Sequence, residues 1–529
     1  MKHKNIILCL LSVLLLTLPW YAPFSELMLL VAFVPLFFIE DDYSRNNKKY
    51  VIKYFALCFL LWNAFTTWWI YKATFFGAVG AVIGNSLQMI VIFWLFHWVK
   101  KHTSERVGYT MLITCWLSWE WFYFDAEISW PWLVLGNGFA KDIQLIQWYE
   151  YTGVLGGSLW VLISNTALFF ILRKFLAGNF IKHQRIEVIR WLLIVLGPIT
   201  MSLVIYYSYN EKENLCNVVV LQPNIDPYND KFGGLSYQQQ VDILLNMAAQ
   251  NIDTKTDYVV APETAIEGSH WEETIKNDLN VMQIKEFVKT YPKVNFVTGI
   301  MTNRLFGHND KIPASARKYG DSFYQRYNTA MQVNNTADIG LYHKSKLVVG
   351  VEMLPYIDKL KFLSKWSINL GGTSGTLGTQ DTRDVFTSAD GRFNAGVAIC
   401  YEAIYGEFYT EYVRNGANVM LIISNDGWWG DTPGYRQLLH YSSLRAIETR
   451  RSIARSANTG ISAFINQRGQ IMQQGNWWER QVLQGYINAN DKITFYTRYG
   501  DITGRVAGFL FVMLLLYAIV QRIRPKVLK

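Results

Sequence analysis

Gly396-Val-Ala-Ile-Cys400-Tyr-Glu402 is a short apolar run that stops at a thiol, a phenol and a carboxylate. The same pattern recurs along the chain. Asn217-Val-Val-Val-Leu-Gln222, Tyr258-Val-Val-Ala-Pro-Glu263, Val294-Asn-Phe-Val-Thr298, Val419-Met-Leu-Ile-Ile-Ser424 and Ile461-Ser-Ala-Phe-Ile465 are similar runs, and several lead into polar groups, among them Gln222, Glu263 and the Asn425-Asp426 pair. Continuous apolar runs of about 4 to 8 residues mark strands buried on both faces. Helical patterns over residues 237–251 and 436–451 lie between some of them, so the reading is a layered α/β domain. No repeat, low-complexity tract or proline-rich linker interrupts residues 210–503, which are taken as one domain. Side chains at the strand ends of such a sheet converge on a shared crevice, which would bring a carboxylate and a thiol together.

Beyond this domain the composition changes. The chain of 529 residues is 51% hydrophobic and 17% charged, below the roughly 25% charged of an average soluble domain. The apolar excess lies at the two ends. A membrane-spanning helix takes about 20 mainly apolar residues, and eight segments come near or above that length: 5–23, 27–38, 51–71, 76–99, 107–124, 153–172, 191–207 and 506–520. This predicts a polytopic helical membrane domain over 1–209, the α/β domain over 210–503, and a last span with its tail over 504–529. Lys2 and Lys4 open the first segment as in a signal peptide, but no A-x-A cleavage pattern follows, so it is read as retained.

Short cytoplasmic loops are enriched in Lys and Arg. Lys48, Lys49, Lys100, Lys101, Arg173, Lys174, Arg522 and Arg524 fall on one side, while the short loops of the other hold only Lys72 and Lys141. Both termini are therefore expected in the cytoplasm and the α/β domain outside it. The net charge of +9 comes largely from these flanks, so it speaks for membrane topology and not for nucleic acid. Five cysteines are too few for a disulfide framework, with a Cys216 to Cys400 bridge left open. Glu120, inside the fifth segment, is costly against lipid and is read as either functional or interfacial.

The residues at the strand ends suggest covalent catalysis. A thiol with a pKa near 8.5 needs a base or a cation beside it to act as a nucleophile at neutrality. Glu263 could accept the proton, and a lysine could stabilise the oxyanion that forms on an attacked carbonyl. Lys344 competes with Lys346 for that role, and its spacing to Glu352 favours it. Residue types alone remain weak evidence, because a lone Cys at a strand end is more often packing than nucleophile.

The surrounding words are more specific. Ala261-Pro-Glu263-Thr-Ala265, Lys344 followed by Glu352, and Ile399-Cys-Tyr-Glu402 resemble the three motif regions of the nitrilase, or carbon-nitrogen hydrolase, superfamily. Ser424-Asn-Asp-Gly-Trp-Trp-Gly-Asp431, His440, Arg445-Ala-Ile-Glu448, Arg455, Asn458-Thr-Gly460 and Trp130-Pro-Trp-Leu133 with Gly136 narrow the resemblance to its membrane branch, the apolipoprotein N-acyltransferases. The resemblance implies an α-β-β-α sandwich with Glu263 as base, Lys344 as oxyanion stabiliser, Cys400 as nucleophile and Glu352 in support. It implies roles in substrate binding or in support of the site for Tyr401, Glu402, Phe232, Asn425 and Trp428. It further implies a phospholipid acyl donor and a diacylated lipoprotein acceptor in the bacterial inner membrane, with no cofactor or metal, no nucleic acid and a monomeric chain. Two departures stand out. Leu347-Val-Val-Gly-Val-Glu-Met-Leu-Pro355 lacks the Pro and Phe usual before this Glu, and Lys231-Phe232 replaces a usual Lys-Trp with a shift of one residue.

A membrane-tethered amidase or ester hydrolase is the rival reading, since the same three residues serve when water resolves the thioester. A transporter or receptor with a silent nitrilase-like domain is a third. Gln222 and Asn224 are as ready to cap a strand end as to touch lipid, and His440 reads as a packing group. Residues 305–325 and 356–384 are candidates for a gate, with Gly371-Gly-Thr-Ser-Gly375 as a flexible loop.

Overall fold

The computed structural model describes residues 2–178, 183–231, 234–307, 310–353, 355–356 and 376–523. The chain separates into two compact units. One comprises residues 1–209 with 499–529, and the other Asn210–Arg498.

The first unit is helical: α1 (Lys2–Thr17), α2 (Val34–Arg45), α3 (Ile52–Thr67), α4 (Phe75–His102), α5 (Glu105–Asp125), α6 (Tyr149–Leu176), α7 (His183–Ser208) and the C-terminal helix Ile502–Ile523. Among the described residues five helical segments are long and apolar enough to cross a membrane, against the eight spans expected. The difference has local causes. Segment 27–38 divides into a 3-10 turn, Glu26–Val31, and the 12-residue α2 with Pro35 in its first turn. Segment 51–71 yields the 16-residue α3 followed by a 3-10 turn. At the basic end, Lys100 Nζ lies 2.6 Å from Glu40, and Arg173 pairs with both Asp41 and Glu105. Two of the cations that suggested the topology thus also tie α2, α4, α5 and α6 together. At the other end the Trp130 loop packs closely on α6. A Cβ on Gly136 would fall 1.9 Å from the Val154 carbonyl oxygen, so only glycine fits there.

The second unit carries strands β1 (Leu215–Gln222), β2 (Tyr258–Val260), β3 (Ile266–Trp271), β4 (Asn295–Leu305), β5 (Arg317–Tyr319), β6 (Ser322–Val333), β7 (Gly340–His343), β8 (Val385–Thr387), β9 (Asn394–Ile399), β10 (Val419–Ser424), β11 (Ile453–Ala457), β12 (Ala463–Ile465), β13 (Ile471–Gln474) and β14 (Gln481–Asn488). They form two sheets. One has eight strands, with the path β14-β1-β2-β4-β6-β5 plus β3 on β4 and β7 on β6; the other has six, β13-β12-β11-β10-β9-β8. The pairs β1/β2, β2/β4, β9/β10 and β10/β11 are parallel, as expected for strands buried on both faces.

Helices α8 (Tyr237–Ala249) and α9 (Leu279–Thr290) cover the first sheet, while α10 (Gly406–Arg414) and α11 (Pro433–Thr449) cover the second. Both α8 and α9 form for local reasons. Ser236 and Gln239 close a reciprocal capping box on α8, and Asp278 caps α9 through the N–H groups of Asn280 and Val281. Val241, Leu244, Ala248, Val281, Ile284 and Val288 then bury one stripe on Val219, Val259 and Phe296. The sheets meet face to face through β1, β2 and β11, and the Ser456 hydroxyl donates to the Leu221 carbonyl at 2.8 Å. The result is a helix-sheet-sheet-helix sandwich.

Candidate active site

Three strand ends build the site. Beyond β2 the backbone continues through Ala261 and Pro262 to Glu263, with Thr264 at φ 46° completing the bend. That bend crosses β4 at Gly299, where a Cβ would lie 2.2 Å from the Thr264 nitrogen. Only glycine lets the two backbones approach so closely. Lys344 directly follows β7 and donates its N–H to the Asn328 carbonyl at 2.8 Å. Cys400 directly follows β9 and opens a 3-10 turn, Cys400–Ile404, at φ 52°. A non-glycine residue in this left-handed region is uncommon and costs about 1–3 kcal/mol, which its surroundings must offset.

Lys344 is the hub. Its Nζ donates to Glu263 Oε1 and to Glu352 Oε1, at 2.9 Å each. Asn328 Nδ2 spans the same two carboxylates at 2.8 and 3.0 Å. Glu263 Oε2 accepts from the Asn425 N–H at 3.1 Å, and Glu352 Oε2 from the Val348 N–H at 2.8 Å. The loop that lacks the usual Pro and Phe still delivers Glu352, by a turn in which the Glu352 N–H reaches the Val348 carbonyl at 2.9 Å and Gly350 has φ 82°. All of Glu263, Lys344, Glu352 and Cys400 are buried.

Electrostatics fixes the resting protonation. Burial presses the Glu263 carboxyl upward, but the Lys344 charge and the hydrogen bonds from Lys344 and Asn328 outweigh it and hold the group below the usual carboxylate range. Burial works against the Lys344 charge, yet Glu263, Glu352 and Cys400 together raise it well above an ordinary lysine. Burial first, then the Glu263 charge, pushes the Cys400 thiol up, against the pull of Lys344 and Ser424. The resting site is a carboxylate, an ammonium and a neutral thiol.

The other expected residues divide. Glu402 is fully buried and spends both oxygens on structure: Oε1 accepts from the Ser345 N–H at 2.7 Å and Tyr342 Oη at 2.8 Å, Oε2 from the Ile399 N–H at 2.7 Å and Tyr412 Oη at 3.1 Å. It therefore joins the residue after Lys344 to the residue before Cys400. Tyr401 is buried with its ring edge on Tyr405. Asn425 reaches Glu263 through its backbone, while its Oδ1 accepts from Asn458 and its Nδ2 is buried without a hydrogen-bond partner. Trp428 is half-buried, takes a hydrogen bond on its carbonyl from Tyr228 and meets the Tyr228 ring edge-on. Gln222 donates to the Asn476 and Glu479 carbonyls and accepts from Ser462, so it ties strand ends together. Asn224 likewise donates to the Trp478 carbonyl. Phe232, residues 357–375 of the candidate gate and the Gly371 to Gly375 loop lie outside the described residues. Cys216 and Cys400 are both free thiols.

Sequence reasoning missed Asn328, and it quoted Asp426 and Arg455 without pairing them behind Asn425. Arg455 Nη2 meets Asp426 Oδ2 at 2.6 Å with both side chains fully buried, and Ser424 donates to the other oxygen. The one signal for Asn328 was a polar residue inside the run Tyr327-Asn-Thr-Ala-Met331. Among the described residues no group of three or more His, Cys, Asp or Glu is placed to hold a metal ion.

Comparison with known proteins adds to this geometry. The carbon-nitrogen hydrolase family profile matches residues 217–493, and the apolipoprotein N-acyltransferase N-terminal domain profile matches residues 12–167. The chain is 28% identical to an apolipoprotein N-acyltransferase of Chlorobaculum tepidum, with 98% of this chain and 97% of that one covered. It is 25% identical to one of Geobacter metallireducens over 94% and 92% of the two chains. An amidase from Nesterenkonia sp. of known structure is 14% identical and covers 55% of this chain and 95% of its own, with a TM-score of 0.36.

Proposed function

On the premise that this chain belongs to the carbon-nitrogen hydrolase family, we propose that it is a lipoprotein N-acyltransferase working through a thioester on Cys400. The observation that carries the reading is Lys344 Nζ held between Glu263 and Glu352 at 2.9 Å each, with the buried Cys400 within electrostatic reach of both Glu263 and Lys344. The N-terminal match and the relatives' names supply the substrate class.

In the first half-reaction the Cys400 sulfur attacks an ester carbonyl of a glycerophospholipid. The thiol is neutral at rest, so its proton passes to Glu263 as the carbon-sulfur bond forms. Lysine has three N–H donors; two face the carboxylates, and the third is left for the oxyanion of the tetrahedral intermediate. Collapse releases a lysophospholipid, whose leaving oxygen takes the proton from Glu263. In the second half-reaction Glu263 takes a proton from the α-amino group of a diacylglyceryl-cysteine, which attacks the thioester and leaves as the amide. Cys400 recovers its thiol. The distribution of Lys and Arg supports cytoplasmic termini and a periplasmic catalytic unit in a bacterial inner membrane.

The test is intact mass after incubation with phospholipid, wild type against Cys400→Ala. An acyl mass on the wild type alone, discharged onto a diacylated lipopeptide, is expected. Free fatty acid with no peptide acylation would replace the transferase with a hydrolase, and neither product would overturn the catalytic assignment.

A further inference from the structure

A buried lysine stands behind Glu263 and is not used by the chemistry above. Lys231 is only 3% exposed. Its Nζ donates to the Thr264 hydroxyl at 2.5 Å and lies 3.2 Å from Oε1 of Glu267, which is buried as well. Its backbone is also held. The Lys231 N–H donates to the Asp226 carbonyl at 3.0 Å, and Gln240 Nε2 of α8 donates to the Lys231 carbonyl at 3.1 Å. A lysine gives up hydration and rotamer freedom to be buried, so the position calls for partners that offset both losses.

The two sides of Glu263 are held differently. Before it, the Ala261 N–H donates to the Val297 carbonyl at 2.8 Å, and the Pro262 carbonyl accepts from the Gly299 N–H at 3.0 Å. After it comes Thr264 at φ 46°. A β-branched residue in the left-handed region is a genuine outlier and persists only where its surroundings over-determine it. The crossing with β4 leaves little slack, since a Cβ on Gly299 would lie 2.7 Å from the Glu263 Cα. The Lys231 hydrogen bond fixes the Thr264 side chain, and with it the turn that aims Glu263 Oε1 at Lys344 and Asn328, 2.9 and 2.8 Å away. Glu267 answers the ammonium charge, so the tie adds no net charge beside the site.

We propose that Lys231 is a positioning residue for Glu263: by anchoring Thr264 in its left-handed conformation it keeps the carboxylate aimed at the Cys400 proton. The proposal rests on Glu263 acting as the base for Cys400, and not on which lipid donates the acyl chain or which amine accepts it.

The test measures acylation of the full-length protein in detergent by 4-nitrophenyl butyrate, from the burst of nitrophenolate, with the adduct on Cys400 confirmed by intact mass. Lys231→Met keeps the length of the side chain and removes its donors. The acylation rate constant at saturating ester should fall about tenfold, while the half-saturating concentration stays within about twofold. Glycine takes the left-handed conformation freely, so in a Thr264→Gly background Lys231→Met should change the rate by less than about twofold. Lys231→Met also leaves Glu267 without its cation. If it fails to fold, Thr264→Val, which keeps the ion pair and loses the acceptor, should show the same loss. A wild-type rate in Lys231→Met or in Thr264→Val overturns the proposal. So does an equal loss in both backgrounds, which would mark Lys231 as support for the fold alone. Glu263→Gln separates the two readings. If it acylates at the wild-type rate, Glu263 is not the base and the proposal falls with that assignment; if it is slow while Lys231→Met is not, the proposal falls alone.

Discussion

Replacing Glu402 with glutamine removes one negative charge and almost no volume, which makes its consequences calculable. The carboxylate takes four donors, two of them backbone N–H groups on opposite sides of the site: Ser345 at 2.7 Å and Ile399 at 2.7 Å. A glutamine offers one oxygen and one NH2. Either amide orientation sets a donor against a backbone N–H that cannot turn away, although Tyr342 or Tyr412 can rotate to accept. One buried N–H is left unsatisfied, at about 1–3 kcal/mol, and its partner bond loses the strength of an ionised acceptor. Relief of the buried charge offsets part of this, because burial already presses the Glu402 carboxyl upward. A net loss of about 2 kcal/mol remains, or roughly 3 °C in melting temperature for a unit that spans Asn210–Arg498. Because Ile399 precedes Cys400 at φ 52°, about the same energy reaches the chemistry, and each 1.4 kcal/mol is tenfold in rate. Single-turnover acyl-enzyme formation should fall about 10- to 100-fold, and Glu402→Ala should be worse, since both N–H groups are then orphaned. The pH dependence has a definite sign. With a folded pKa raised above the unfolded value near 4.3, Glu402 makes wild-type stability rise as pH falls through that window, and the glutamine variant lacks this component. Wild-type melting and rate in Glu402→Gln would refute the reasoning.

Three further outcomes are expected. Asn328→Ala removes the amide that spans Glu263 and Glu352 at 2.8 and 3.0 Å; with about 1.5–3 kcal/mol for a hydrogen bond to a charged group, acylation should slow at least about tenfold, as single-turnover kinetics will measure. Glu263 is held below the usual carboxylate range and the Cys400 thiol is raised, so acylation should be flat through neutrality, fall only below the ordinary carboxylate range, and show no rise near pH 8.5 from thiolate formation. Gly136→Ala puts a methyl 1.9 Å from the Val154 carbonyl, and the forced backbone shift should cost about 1–3 kcal/mol, read as a lower melting temperature in detergent.

The α/β character was legible because strands buried on both faces must be apolar throughout, and a run such as Val419–Ser424 presents no polar face to water before its final serine. Strands β6 and β14 escaped notice: Ser322–Val333 is broken up by Gln325, Arg326, Asn328, Thr329 and Gln332 although Tyr327–Val333 are all buried, and Gln481–Asn488 mixes exposed with buried positions, so their places come from pairing with β4 and β1. Hydropathy alone does not show where an apolar segment breaks its helix, as at the 3-10 turn before α2.

Glu263, Lys344, Glu352 and Cys400 could be picked out because each sits in a distinctive word beside a strand end. Their mutual distances could not, since 81 residues separate Glu263 from Lys344 and only the β2, β4, β6, β7 pairing sets them 2.9 Å apart. The same holds for Glu402. Its word marked it, but whether it faces substrate or scaffold depends on which donors the fold places around it, and these come from Tyr342, Ser345, Ile399 and Tyr412. Asn328 carried no distinctive word at all; its role arises when β6 passes beneath two carboxylates delivered by separate loops. Sequence by itself determined which chemical groups the chain possesses and where apolar burial must occur, because both are local properties. Protonation and donor direction were decided only by the tertiary structure, because they depend on desolvation and on neighbours distant along the chain.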